Sequence, residues 1–111
     1  MKCVSLKEGM PPVQEALSRL DHELANARRE GFLLVKIIHG YGSSGAGGEI
    51  RLAAQKRLRE MIDRREIRGC IFGENWRKSD ADTWRLLGAH PDLKQDHDLG
   101  RRNLGITVVV L

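Results

Sequence analysis

The sequence is more informative at first for what it lacks. Its 111 residues include only two cysteines, Cys3 and Cys70, far apart and in no CxxC pair. That spacing argues against a disulfide scaffold and against a structural zinc site, and two buried thiols are expected instead. No apolar run approaches the ~20 residues of a membrane span, so no membrane association is expected. The first residues, MKCVSLKEG, have no signal-peptide core, and a cytoplasmic protein is expected. There is no internal repeat, no low-complexity linker, and no Gly-Lys-Ser/Thr triplet of a Walker loop. At about 100–200 residues per domain, the expectation is one domain over residues 1–111.

What is present is charge, unevenly placed. Nineteen Lys and Arg face fifteen Asp and Glu, a net of +4. Residues 1–48 hold six basic and five acidic groups, residues 49–78 nine and five, and residues 79–111 four and five. The surplus belongs to the middle third: Arg51, Lys56, Arg57, Arg59, Arg64, Arg65, Arg68, Arg77 and Lys78. Such a stripe is the electrostatic footprint of a nucleic-acid binder. The plainer reading is a solvated helix face, since Glu60, Asp63 and Glu66 are interleaved.

The hydrophobic pattern alternates strands and helices. Lys2 to Leu6 reads as a short strand. Val13, Leu17, Leu20, Leu24 and Ala27 mark one face of a helix over Val13 to Glu30, with Gly31 as its stop. Phe32 to Ile38, apolar but for Lys36, reads as a strand buried on both faces. Ile50, Ala54, Leu58, Met61 and Ile62 give a second helix, starting near Gly48 or Glu49 and fading at Arg64 to Glu66. Cys70 to Phe72 is a third strand. An insert over about 74–103 follows, with a short helix over Asp80 to Ala89 capped by Ser79, then a polar loop from Asp92 to Asn103. Gly105 to Leu111 is the last strand. The order βαβαββ describes an α/β fold (an α+β sandwich), a small four-stranded mixed sheet covered by two main helices.

Between the second strand and second helix lies His39-Gly40-Tyr41-Gly42-Ser43-Ser44-Gly45-Ala46-Gly47-Gly48. Glycines there free backbone N–H groups to approach an oxyanion. The helix start adds partial positive charge, worth about 0.3–1 kcal/mol to a nearby anion. His39, Ser43, Ser44 and Arg51 add side-chain donors, so a phosphate site is sensible. Gly40 to Gly45 also fits the bare dinucleotide pattern GxGxxG, but more glycines separate it from the helix and the chain is short for that fold. A purely structural strand-to-helix turn is the remaining reading.

The His39-Gly40-Tyr41-Gly42 tetrapeptide, the helix after it and the closing Gly105-Ile106-Thr107-Val108-Val109-Val110-Leu111 strand resemble the Smr (small MutS-related) domain, over Val4 to Leu111. That family carries an HGxG motif at this place and is similar to a βαβαββ sandwich. Its members occur as the C-terminal domain of a bacterial MutS paralogue and as stand-alone small proteins, and the length fits the stand-alone kind. Several nick DNA or bind branched DNA, and others act on RNA. The resemblance therefore implies a nucleic-acid partner, contacted through the loop residues His39, Gly40, Tyr41, Gly42, Ser43, Ser44 and Gly45, and Lys7, Arg51 and the basic face of the second helix are expected to widen that surface. If the protein cleaves, the resemblance implies a metal-assisted nick with Mg²⁺ or Mn²⁺ and His39 as acid, base or phosphate contact.

One departure bears on cleavage. Smr domains usually carry LDxH on the first strand, and the matching stretch is Val4-Ser5-Leu6-Lys7. Ser5 is no carboxylate, Lys7 is a poor base, and Glu8 is the nearest acid. A non-catalytic DNA- or RNA-binding module is the first alternative, and a binder of a small phosphorylated ligand the second. Other residues invite expectations. Tyr41, the sole tyrosine, is placed to stack on a base or to pack across the loop. Arg51 sets a cation against the helix dipole, which points to an anion partner. Trp76 and Trp84 are expected to anchor the insert. His90, Asp96, His97 and Asp98 show no metal-ligand spacing and read as loop.

Overall fold

The computed structural model describes residues 1–41 and 46–111. The elements in order are β1 (Lys2–Ser5), α1 (Val13–Arg29), β2 (Leu34–Ile38), α2 (Ala46–Asp63), β3 (Gly69–Phe72), α3 (Ala81–Ala89) and β4 (Ile106–Val110). Two short 3-10 turns, Gly73–Asn75 and Pro91–Gln95, flank α3. The expected α/β architecture is present, and each element lies within a few residues of its expected place.

The sheet order is β1-β2-β4-β3. β1 runs parallel to β2 in the register Ser5↔Ile38, while β4 runs antiparallel to both β2 and β3. The carboxyl ends of β1, β2 and β3 therefore all lie at one end of the sheet. The start of β4 and the start of α2 lie there too.

Two apolar layers hold the sheet. On one face Val4, Val35, Ile37 and Val109 pack against Ala16, Leu20, Leu24 and Ala27 of α1 and Ile50, Ala54 and Leu58 of α2. These are the helix faces that the three- and four-residue spacing specifies. Gly31, at φ +84, closes α1, with Phe32 N–H donating to Ala27 O at 3.0 Å and Gly31 N–H to Arg28 O at 3.1 Å. This is the paired Schellman bonding of a helix end.

On the other face Leu34, Ile71, Ile106 and Val108 pack under Trp76, Leu87 and Leu93. The insert is thus the second covering layer. The expectation of a plain polar loop over Asp92 to Asn103 is corrected: Leu93 and Asp98 are buried, and Pro91–Gln95 is helical.

Three smaller expectations are also corrected. Asp80, not Ser79, caps α3, accepting from Thr83 N–H at 3.0 Å. Trp84 is 59% exposed, so only Trp76, fully buried, anchors the insert. Cys3, on the edge strand β1, is exposed, while Cys70 is half-buried and burial pushes its thiol up to about 11. Both cysteines are free.

Candidate nucleic-acid interface

The site is built from the chain ends that the sheet gathers. Leu6 N–H continues the parallel ladder by donating to Ile38 O at 2.8 Å. Leu6 thus stands level with His39 and Lys7 follows beside the turn at Gly40, and both Lys7 and Glu8 are exposed. Gly40 turns at φ +73, a left-handed conformation that suits glycine. His39 N–H and Gly40 N–H both donate to Gly105 O, at 2.9 and 3.1 Å, so the start of β4 clamps the glycine turn. Tyr41 is 55% exposed. One ring edge lies so near Gly105 that a Cβ there would sit 3.3 Å from Tyr41 Cδ1. The tyrosine therefore packs across the turn and still presents ring surface to solvent. Gly42, Ser43, Ser44 and Gly45 lie outside the described residues.

His39 itself is fully buried. Its Nδ1 lies 2.7 Å from Gly40 O and its Nε2 2.9 Å from Thr107 Oγ1. The neutral ring satisfies both, with Nδ1–H donating to the carbonyl and Nε2 accepting from the threonine hydroxyl. Burial pushes its pKa below the usual imidazole value; Arg51 pushes the same way, against the Gly40 carbonyl and Glu74. Both effects favour the neutral ring that the two hydrogen bonds already describe. The charges that act on it come from Arg51 and Glu74, not from Lys7 or Glu8.

Arg51 has a partner within the chain. Its Nη2 lies 3.5 Å from Glu74 Oε1, which joins α2 to the turn after β3. The anion set beside Arg51 in the structure is this carboxylate. Other middle-third cations are also engaged: Arg57 holds Asp21 of α1 at 2.5 Å, Arg64 lies 3.9 Å from Glu60, and the Arg59 guanidinium sits 5.0 Å above the Phe72 ring.

Sequence reasoning missed the group that supports this end of the sheet. Lys36, the single polar residue of its strand, is 2% exposed. Its ammonium donates to Asp96 Oδ1 at 2.5 Å and Asp98 Oδ2 at 2.7 Å. Trp76 Nε1–H donates to Asp96 Oδ2 at 2.9 Å, and Asn103 Nδ2 donates to Asp98 Oδ1 at 3.0 Å. Asn103 Oδ1 then accepts from Gly105 N–H at 2.9 Å. A buried polar chain thus runs from the sheet centre to the residue that clamps His39 and Gly40.

Burial works against both charges and is outweighed. It pulls Lys36 down, but the two carboxylates raise its pKa above the ordinary 10.5. It pushes Asp98 up, but hydrogen bonds from Lys36 and Asn103 and the charges of Lys36 and His97 hold it below the usual carboxylate range. The one signal in the sequence was a lysine inside an apolar strand, since an unpaired buried ammonium is too costly to expect.

The same group settles where a divalent ion does not fit. Asp96, His97 and Asp98 bring potential metal-ligand atoms within 4.8 Å of one another. Both carboxylates already hold the Lys36 ammonium, which stands where the ion would be. Among the described residues, no other cluster of three such groups exists. With both carboxylates committed to the Lys36 ammonium, this cluster does not fit a Mg²⁺ or Mn²⁺ centre.

Fold and site together define an α/β domain that presents a clamped glycine turn, an exposed tyrosine and cations at the carboxyl ends of a mixed sheet. The family model of the Smr domain matches residues 8–74, and the chain belongs to the Smr domain family. The match is shorter than the Val4 to Leu111 of the resemblance: it starts after Val4-Ser5-Leu6-Lys7 and stops before the insert and β4. No curated protein and no solved structure matches the chain. Family membership carries nucleic-acid binding or nicking as its general function. Among the described residues, no helix is long and apolar enough to cross a membrane.

Proposed function

We propose that residues 1–111 form one Smr unit that binds nucleic acid through its phosphates, at the end of the sheet where β1, β2 and β3 finish. Lys7 and Arg51 meet phosphate oxygens beside the clamped turn at Gly40, and the open face of Tyr41 stacks on a base. The observation that carries this reading is the parallel register of β1 and β2. It brings the exposed Lys7 level with the glycine turn and the start of α2. A small phosphorylated ligand would use the same donors but would leave Tyr41 and Lys7 without a role.

Binding should weaken steeply with salt, because phosphate contacts release counterions. Lys7→Ala and Arg51→Ala should each lower the slope of log affinity against log salt by about one, with similar losses across sequences. An affinity indifferent to salt overturns the reading.

Binding without cleavage is the activity that the described residues support. His39 turns both ring nitrogens inward, Ser5 and Lys7 replace the acid and imidazole of LDxH, and the carboxylate cluster is occupied by Lys36. The wild type should leave supercoiled plasmid intact with Mg²⁺ or Mn²⁺ present. Nicking that disappears in His39→Ala would establish the catalytic alternative.

A further inference from the structure

Arg51 and Glu74 form a pair that is close but incomplete. A guanidinium and a carboxylate at full strength make two short parallel hydrogen bonds. Here there is a single approach of 3.5 Å. Arg51 Nε and Glu74 Oε2 are both buried and have no hydrogen-bond partner. One turn further along α2, Gln55 is 6% exposed and its Nε2 is also buried without a partner. Two buried N–H donors on α2 and one buried acceptor on the turn after β3 are therefore left unmatched. Buried donors and acceptors are usually paired, and an orphan is costly.

The pair is also poorly protected, since the two side chains are 22% and 37% exposed. Ion pairs of that exposure hold weakly. Glu74 lies on the short 3-10 turn Gly73–Asn75, with one carboxylate oxygen buried and the side chain as a whole partly exposed. A phosphate in its place offers several oxygens, enough to occupy the donors that the carboxylate leaves idle.

We propose that Glu74 is a resident counter-anion. It holds Arg51 in the free domain and yields it to a nucleic-acid phosphate, so that only a partner able to replace it gains the arginine. This rests on the reading that Arg51 contacts phosphate. The consequence is discrimination: an acidic side chain beside a phosphate site opposes weak or badly placed anions and favours those that match the donors.

A double-mutant cycle tests it, with a fluorescent oligonucleotide as the probe (once as DNA, once as RNA) at fixed ionic strength. Wild type, Glu74→Gln, Arg51→Ala and the double variant are compared, with thermal unfolding of each to confirm the fold and Glu74→Ala as a second removal of the carboxylate. Glu74→Gln should bind about fivefold more tightly, the factor by which a weak exposed pair shifts an equilibrium. In the Arg51→Ala background the gain should vanish.

No gain in either Glu74 variant, while Arg51→Ala still weakens binding, overturns the counter-anion alone. An equal gain in the Arg51→Ala background also overturns it, because Glu74 would then act only as general charge. If Arg51→Ala leaves affinity unchanged, or if neither probe binds, the phosphate reading of Arg51 fails and the counter-anion fails with it.

Discussion

Replacing Lys36 with methionine should destabilise the protein by about 3–5 kcal/mol at pH 7, the usual result of stripping one partner from a buried charged group. Methionine fills similar volume, so little of the loss would come from packing. It would come from Asp96 and Asp98, left side by side without the ammonium that neutralises them.

The pH dependence separates this cause from a packing defect. In the wild type Asp98 has its pKa lowered in the fold. Its stabilising contribution is present above the ordinary carboxylate value and is lost as pH falls through the folded value. Lys36, raised, contributes fully below 10.5 and loses that contribution as pH rises through its folded value. In Lys36→Met the lowering by the ammonium is lost while burial still opposes the charged carboxylate, so acid should cost the variant less than the wild type. The gap in stability between the two proteins should therefore narrow from pH 7 toward pH 4. Urea titrations across that range measure it, and a gap independent of pH would show that lost packing is responsible.

Gly73→Ala should be nearly as damaging, for a steric reason. A Cβ at Gly73 would lie 1.7 Å from Asn103 O and 2.9 Å from Ile106 O, both backbone atoms with no flexible end to yield. Overpacking typically costs about 1–3 kcal/mol and occasionally more, and a backbone collision belongs at or above the upper end. The displaced Asn103 also carries the oxygen that accepts from Gly105 N–H. The glycine turn should loosen with it, and nucleic-acid affinity should fall beyond the loss of stability. Gly88→Ala is the control: nothing lies within 4 Å of its Cβ position in the exposed side of α3. There alanine should raise stability by about 0.5–1 kcal/mol. Destabilisation of equal size at both positions would contradict the steric argument.

These two positions show what could be read in advance and what could not. Helix faces are local: Leu20, Leu24 and Ala27, or Ile50, Ala54 and Leu58, declare themselves by spacing because their burial follows from helical geometry. The Gly31 stop and the closing β-branched strand are local in the same sense. Lys36 is different. It looked like one interruption in an apolar run, and its partners lie 60 and 62 residues further on, in a stretch whose polarity alone reads as loop.

Arg51 is a similar case. Sequence pattern sets it in the first turn of the second helix, against the dipole, but α2 begins at Ala46 and Arg51 stands in the second turn, and nothing local points to Glu74. Trp76 and Trp84 share a residue type and a segment. Their fates divide only because the insert turns one toward the sheet and the other away. Sequence pattern reveals which surface an element buries; which charges meet there depends on how distant segments are brought together.

The strand order has a consequence for how the molecule comes to exist. β4 lies between β2 and β3 in space, yet it follows both, and the whole insert, in the chain. β2 and β3 make no ladder with each other. Until β4 enters, β3 has no neighbour at all and β2 has only β1. Assembly is thus dominated by a late, distant pairing, which slows folding. During synthesis the ribosome releases the two sides of the sheet before its middle. The turn at His39 waits as well, because its clamp is Gly105 O. The nascent chain carries His39 and Gly40 long before it carries the carbonyl that holds their turn.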